Sequence, residues 1–220
     1  MLGPEFEQIQ HTIGLGGVRD PEHLLKQQSP STVLDLGCGD GRAVELVRSI
    51  GASYTGVDIE ASPEVRARTR SDASFVSYDG QNLPFKDSSF DLVYSRQVFE
   101  HVRHPDQVAA EVQRVLKPGG KFIASLSYLE PYHSFSIFNF TPYGVYRLIE
   151  DNGLKLEAMW PGADGLSLIV RQLTNRRMSK FPVIYPMIDL IGTLASWDAR
   201  KRNYLKLRFA GHITLQATKS

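Results

Sequence analysis

The chain has 220 residues, 42% of them apolar, and a formal net charge of +1; that is enough for one domain with a sizeable core, and the balanced charge gives no case for a nucleic-acid or other polyanionic partner. A single cysteine, Cys38, excludes an intramolecular disulfide. With no basic-then-apolar leader and no window of about 18 uninterrupted apolar residues, the chain reads as soluble and cytoplasmic.

Residues 1–31 precede the first expected strand. Gly3-Pro4-Glu5-Phe6 reads as an appended tag and residues 11–19, with three glycines, as a loop. Residues 21–28 read as a short helix with Asp20 as N-cap and Pro21 in the first turn. Val33, Leu34 and Leu36 then mark a short buried strand, and Gly37, Gly39 and Gly41 follow at alternate positions. A helix over 42–50 places Ala43, Leu46, Val47 and Ile50 at helical spacing. Strand, glycine turn and helix N-terminus together form a site for a nucleotide-type cofactor.

The glycine spacing narrows the choice. A dinucleotide site uses G-x-G-x-x-G, whereas this chain has Asp-x-Gly-x-Gly-x-Gly with Asp35 two positions before the first glycine. A carboxylate there repels a pyrophosphate and accepts hydrogen bonds from an ammonium, which favours a cofactor with an amino-acid end. A second strand over 53–58 ends on Asp58, 23 residues after Asp35. An acid at that place can accept both hydroxyls of a ribose, and Ile59 can pack on an adenine face; the other reading of Asp58 is a cap for a helix over 61–70. A third strand covers 73–78, and Asp79-Gly80 follows it, either as an acceptor for an adenine amino group or as simple turn chemistry.

The fourth strand covers 88–95 and leaves Ser95 and Arg96 at its C-terminal end, where open α/β sheets bind ligands. A helix opened by His104-Pro105-Asp106 runs to Leu116 and is stopped by Lys117-Pro118-Gly119-Gly120. The fifth strand covers 121–127. Residues 128–140 are aromatic and irregular, and they should roof the same crevice. Thr141 and Pro142 open a helix to about residue 152, with Gly153 as its C′ residue. A sixth strand covers 154–160 and a last one 208–219.

Residues 161–206 form an unexpectedly long connection, with helices over 166–173 and 185–202. From Arg171 to Arg208 there are nine Lys/Arg (171, 176, 177, 180, 200, 201, 202, 206, 208) against Asp189 and Asp198. This insertion reads as a helical cap with a solvated basic rim, as a self-association surface, or, through residues 181–202, as an interfacial amphipathic segment or a groove for an anionic or lipid-linked substrate.

The glycine run at 33–41, D-x-x-x-L-P-F from Asp79, F-D-L-V from Phe90, Glu100-His101-Val102 and L-K-P-G-G from Leu116 resemble the class I S-adenosylmethionine-dependent methyltransferases of the type 11 small-molecule branch. The resemblance is good over 32–126 and looser beyond. It implies a single α/β domain over 1–220: a doubly wound, Rossmann-like mixed sheet of seven strands, the last antiparallel, with a helical insertion between the last two. The cofactor implied is S-adenosyl-L-methionine. Asp35, Gly37, Cys38, Gly39 and Gly41 would surround its methionine end, Asp58 and Ile59 its ribose and adenine, and Asp79 and Gly80 the adenine edge. Ser95 and Arg96 would face the methionine or the transferring methyl.

Methyl transfer from a sulfonium is an in-line displacement, so the protein chiefly aligns the nucleophile and excludes water. A hydroxyl nucleophile is helped by a base near neutral pKa. Of His11, His23, His101, His104, His133 and His212, the candidates for catalysis are His101, after the fourth strand, and His133, in the aromatic roof. His101 also reads as a packing residue for the next helix; His104 reads as a cap-region residue and His212 as structural. Tyr128 and Tyr132 could shape the acceptor site. Ser95-Arg96-Gln97-Val98 stands where exocyclic-amine DNA methyltransferases carry Asn/Asp-Pro-Pro-aromatic, and Cys38 lies in the glycine turn, which argues against a cysteine nucleophile. No Cys/His cluster has metal-ligand spacing, so no metal site is expected. The expected activity is methylation of a small molecule, at a hydroxyl oxygen of a sugar, polyketide or quinone-like acceptor. N- or C-methylation and a cofactor-binding module without its own catalysis are the alternatives.

Overall fold

The computed structural model describes residues 3–174, Pro182 and 184–220; Arg176, Arg177 and Lys180 of the basic region lie outside the described residues. Short apolar runs such as Val33-Leu34 and Leu92-Val93 suit strands covered on both faces, because successive side chains point to opposite sides of a sheet. Seven strands form: β1 (Thr32–Leu36), β2 (Ser53–Ile59), β3 (Ser74–Tyr78), β4 (Phe90–Arg96), β5 (Leu116–Ser127), β6 (Leu154–Pro161) and β7 (His212–Lys219). Their order is β3-β2-β1-β4-β5-β7-β6. Pairings from β3 across to β5 are parallel, and β7 runs antiparallel to both β5 and β6. The order reverses between β1 and β4, which opens a crevice at their C-terminal ends.

The two faces of the sheet carry separate cores. Leu34, Val93, Phe122 and Leu215 pack on one side with Val108, Val112 and Ile149, which belong to α5 (Pro105–Val115) and α6 (Pro142–Glu150). Val33, Leu92 and Ile123 pack on the other with Leu24, Leu25, Val44 and Val47, from α2 (Pro21–Lys26) and α3 (Val44–Ser49). Asp20 caps α2 by accepting from Glu22 N at 2.8 Å, and Thr141 caps α6 by accepting from Gly144 N at 3.0 Å. At the N-terminal edge of the sheet Asp91 accepts from Thr32 N, Thr32 Oγ1 and Lys117 Nζ at 2.9, 2.9 and 2.7 Å. It thereby ties β1, β4 and β5 together on the side away from the crevice.

Four expectations change. Residues 4–9, where no element was expected, form α1 (Pro4–Ile9); Phe6 lies 4.6 Å from the Tyr204 ring, and Ile9 is fully buried. The helix expected over 61–70 shortens to α4 (Pro63–Ala67), because Arg68 turns extended and Arg70 reaches back to the Gly41 carbonyl at 2.9 Å. The fifth strand starts at Leu116 rather than 121, with a register slip between Phe90 and Leu92. The single helix expected over 185–202 is two.

Those two are α8 (Ile184–Leu194) and α9 (Ala199–Arg208), and they follow α7 (Gly165–Leu173). The break falls where Ser196 takes a left-handed φ of 53° and Asp198 caps a new helix through Lys201 N at 2.7 Å. α9 also consumes Arg208, so the last strand begins at His212. No helix among the described residues is long and apolar enough to cross a membrane.

Candidate functional site

β1 delivers Asp35 and Leu36 directly into the glycine turn. The turn is sewn to β2, since Gly37 N and Cys38 N both donate to the Val57 carbonyl, at 2.8 and 3.2 Å. Gly37 has φ 75°, and a Cβ there would stand 2.2 Å from Val98 Cγ2, so no other residue fits where the main chain passes the β4 loop. Asp58, at the end of β2, accepts from Gly39 N at 2.7 Å and from Ile59 N at 2.7 Å. It therefore braces the turn as well as lying at its mouth. Burial raises its pKa, while the Gly39 and Ile59 amides pull it down.

Asp35 is buried and accepts from Tyr54 Oη at 2.8 Å. Burial pushes its carboxyl up to about 7; the Tyr54 bond opposes this, and Asp58 and Asp40 add to it. A buried acid held back from ionising is the group that an arriving ammonium stabilises. Cys38 is buried beside it, its thiol pushed up to about 12 by burial with Asp35 and Asp58; Arg68 Nη1 lies 3.7 Å from its sulfur. The thiol is an inert wall.

The β2–β3 register pairs Ile59 with Tyr78. It brings exposed Ile59 to Gly80, where an added Cβ would lie 3.4 Å from Ile59 Cγ2. Asp79 does fold its own turn: its carboxylate accepts from Gln81 N, Asn82 N and Asn82 Nδ2 at 2.8, 2.6 and 2.7 Å. The turn reading of this residue therefore holds here, and the remaining lone pairs face outward. Ser95 is fully buried on β4 and its hydroxyl has no partner among the described residues. Arg96 is exposed and ion-paired with Glu22 of α2, so it closes α2 over the crevice rather than pointing down at the glycine turn.

His101 ends a 3-10 turn (Phe99–His101) just past β4. His133 descends from the roof until the two rings stand edge to face with centroids 5.4 Å apart. The roof is pinned there by Ile137 N and Phe138 N, which donate to the Glu100 carbonyl at 2.6 and 3.1 Å, and by Phe140 N, which donates to Ser127 O at 2.7 Å. Burial and the neighbouring His133 lower the pKa of His101. Tyr132 projects into solvent, while Tyr128 packs against the core.

Three groups at this corner carry no sequence signal for it. Glu100 is buried, and burial raises its pKa. Its Oε1 accepts from Ser127 Oγ at 3.0 Å. Gln97, in the amide orientation its partners dictate, donates to Glu100 Oε1, Ser127 Oγ and Glu130 Oε2 at 2.9, 3.0 and 3.1 Å. Burial also pushes Glu130 up, but His212 Nε2 at 2.8 Å and Ser127 pull it below the ordinary range. His212, expected to be structural, thus belongs to the crevice. Glu130 and His212 are 82 residues apart, and only the antiparallel β5–β7 pairing, Ser127 against His212, joins them.

A cavity of about 640 Å³ opens at the C-terminal ends of β4 to β6. Gln97, Ser125 and His212 form its floor, and Arg19, Tyr185 and Lys206 are among its walls. The insertion is therefore a cover over the crevice. Its buried Lys206 is paired with Asp189 at 2.7 Å. A second cavity, of about 630 Å³, lies between the start of α5 and α6, lined by His104, Arg147 and Asp151.

The arrangement matches known proteins. The family profile described as "Methyltransferase domain" matches residues 34–124. Sterol 4-C-methyltransferase strm-1 of Caenorhabditis elegans is 40% identical over 98 residues, 41% of this chain and 29% of that one. The ubiquinone biosynthesis O-methyltransferase of Nitrosococcus oceani is 32% identical over 112 residues, 48% of each chain. The chain thus spans less than half the length of these curated relatives. Among solved structures, a chain of the complex between the Haloferax volcanii Trm112 methyltransferase activator and a methyltransferase superposes with a TM-score of 0.60 at 25% identity, over 97% of this chain and 91% of that one.

Proposed function

Because the chain carries a class I S-adenosylmethionine-dependent methyltransferase domain, we propose that it transfers the methyl group of S-adenosylmethionine to a hydroxyl oxygen of a small acceptor held in the 640 Å³ cavity. The observation that carries this reading is a juxtaposition. Gln97 and His212, which line the cavity, hydrogen-bond Glu100 and Glu130, and Glu100 directly precedes His101, whose ring meets that of His133.

The residues present suit the cofactor. Gly37, whose positive φ and close approach to Val98 admit no side chain, lets the turn fold tightly at the end of β1; Asp35 is a buried acid awaiting a cation. Asp58 offers carboxylate lone pairs for the ribose, and Ile59 an exposed apolar face for the adenine. When bound, the cofactor supplies a methyl already activated on a sulfonium. What remains for the chain is to align the acceptor oxygen, exclude water and ease the loss of the hydroxyl proton. His101 and His133 serve the last task. α2, latched by Glu22–Arg96, and the insertion shut out water.

A second reading is favoured by the relative named a sterol 4-C-methyltransferase. On it the acceptor atom is carbon, and the histidine pair matters little. The exposed apolar side chains of α8 (Met187, Leu190, Ile191, Leu194) beside Arg200 and Lys201 support a peripheral membrane contact.

Calorimetric titration with S-adenosylmethionine and S-adenosylhomocysteine, with Asp58→Ala as control, tests the cofactor. Roughly micromolar binding that the mutant loses is the expected result; absence of binding to the wild type defeats the proposal. Mass spectrometry of products from a panel of phenolic, sugar and polyketide alcohols then assigns the acceptor atom.

A further inference from the structure

The corner contains a feature that proton transfer alone does not explain. Glu100 Oε2 and His101 Nδ1 are both buried and have no hydrogen-bond partner among the described residues. A buried polar atom left unpaired is costly, and here two belong to adjacent residues. The backbone at Phe135 hydrogen-bonds the His101 ring; with Nδ1 unpartnered, that bond falls to Nε2 and leaves the Nδ1 lone pair free. His133 Nδ1 stands 3.3 Å from the Pro131 carbonyl, so as a donor there it leaves the Nε2 lone pair free. Glu100, His101 and His133 offer one ligand atom each, all within 4.8 Å of one another.

We propose that Glu100, His101 and His133 form a binding site for one divalent transition-metal ion, with coordination positions left open toward the acceptor. Two imidazole nitrogens and one carboxylate oxygen are the donor set of zinc, manganese, iron(II) and cobalt(II) sites, less suited to magnesium. Metal–ligand bonds of about 2.0–2.2 Å bring neighbouring ligand atoms closer than 4.8 Å, so modest side-chain rotation closes the site. Three protein ligands are the number found in catalytic sites, which keep an open position for water or substrate. The supporting bonds are already made: Ser127 and Gln97 hold the other oxygen of Glu100, and backbone carbonyl groups hold the far side of each ring.

The roof adds an independent sign. Ser134 and Phe135, immediately after His133, take left-handed φ of 41° and 61°, a conformation unfavourable for non-glycine residues. With an ion bound, the two imidazole lone pairs would hold it instead of accepting a proton, and the ion would ease loss of the acceptor's proton to solvent. This last role rests on the methyltransferase reading; the ion site itself does not.

The test uses the full chain, stripped with a chelator and titrated with cobalt(II) alone. One equivalent should produce a visible ligand-field band that zinc(II) displaces. His133→Ala, at the half-buried and structurally tolerant position, should weaken cobalt binding at least tenfold, as should Glu100→Gln, while His23→Ala on the exposed face of α2 leaves it unchanged. Circular dichroism checks that each variant is folded. No band in the wild type, or a band unmoved by His133→Ala, overturns the proposal. Cofactor calorimetry on the same stripped protein separates the two readings: cofactor binding without cobalt binding removes the ion and leaves the methyltransferase, and cobalt binding without cofactor binding does the reverse.

Discussion

The carboxylate of Asp58 holds the amide of Gly39 at 2.7 Å, joining the end of β2 to the glycine turn after β1. The residue expected to grip a ribose is therefore also the brace of the glycine turn. Asp58→Ala removes both, and two bonds to a charged acceptor at about 1.5–3 kcal/mol each predict at least a hundredfold loss of cofactor affinity by calorimetry. Asp58→Asn, which keeps one acceptor oxygen, should lose less. Equal losses in the two variants would mean that charge alone matters at this position.

If Asp35 receives the ammonium of the cofactor, binding should depend on pH. Its folded value of about 7 lies above the ordinary 3.8, so the free folded protein retains a proton that the unfolded chain gives up. Stability of the free protein therefore falls as pH rises from about 4 to 7. The groups facing Asp35 are Tyr54 and Asp58 from β2, Asp40 and Cys38 from the turn, and Tyr94 from β4; among these only Tyr54 donates to it. An incoming ammonium requires the ionised carboxylate. Cofactor affinity should rise by up to about tenfold per pH unit below 7 and level off above it. Asp35→Asn should flatten that profile, as titrations from pH 5.5 to 8 would show, and Tyr54→Phe should move the plateau to higher pH.

If the acceptor atom is a hydroxyl oxygen, His101→Ala and His133→Ala should each lower kcat by roughly 10²-fold or more while leaving the cofactor dissociation constant within about twofold. The measurement is steady-state release of S-adenosylhomocysteine with the acceptor found by screening. Turnover near wild type in both variants would point instead to a carbon or nitrogen acceptor.

Arg114 fastens the loop that carries Asp79 to α5. It donates to the Leu83 and Phe85 carbonyls at 2.9 and 2.8 Å and pairs with Asp87 and Glu111 at 2.7 Å each. Glu111 in turn accepts from Leu83 N at 2.7 Å. Arg114→Ala should destabilise the fold by about 2–3 kcal/mol, lowering the melting temperature by roughly 5–10 °C. A drop of less than 1 °C in a thermal melt would show the latch to be energetically idle.

The outer face of α8 exposes Leu190 and Leu194 at 63% and 79%, and Lys201 lies 4.6 Å over the Trp197 ring. The protein should cosediment with vesicles containing anionic lipid and lose that binding, with unchanged cofactor affinity, on Leu190→Glu with Leu194→Glu. No cosedimentation by the intact protein sinks the membrane contact; a concentration-dependent elution volume that the same double variant abolishes would assign the face to self-association.

The sequence by itself determined the glycine turn and the strand ends around it. Val33 to Gly41, Asp58 and Asp79 are legible because their spacing is local: each acid or glycine sits at a strand end, and a parallel sheet of short apolar strands can bring those ends together in one way. The doubly wound sheet with an antiparallel last strand, which the family resemblance implied, is the one observed. Local signals failed where two helices share one apolar run. The break falls at Ser196, with a left-handed φ of 53°, and Asp198, whose side chain caps the second helix.

Only the tertiary structure decided the polar corner beside the 640 Å³ cavity. Gln97, Glu100, Ser127, Glu130 and His212 read along the chain as ordinary polar residues, and no spacing joins them. They meet because β7 inserts between β5 and β6 and sets His212 opposite Ser127. His101 and His133 are 32 positions apart, so no metal-ligand spacing could announce them; the roof that folds back onto the Glu100 carbonyl closes that distance. Long-range pairing chooses such neighbours after the local elements have formed, and its energy lies in contacts that a single stretch of sequence does not contain.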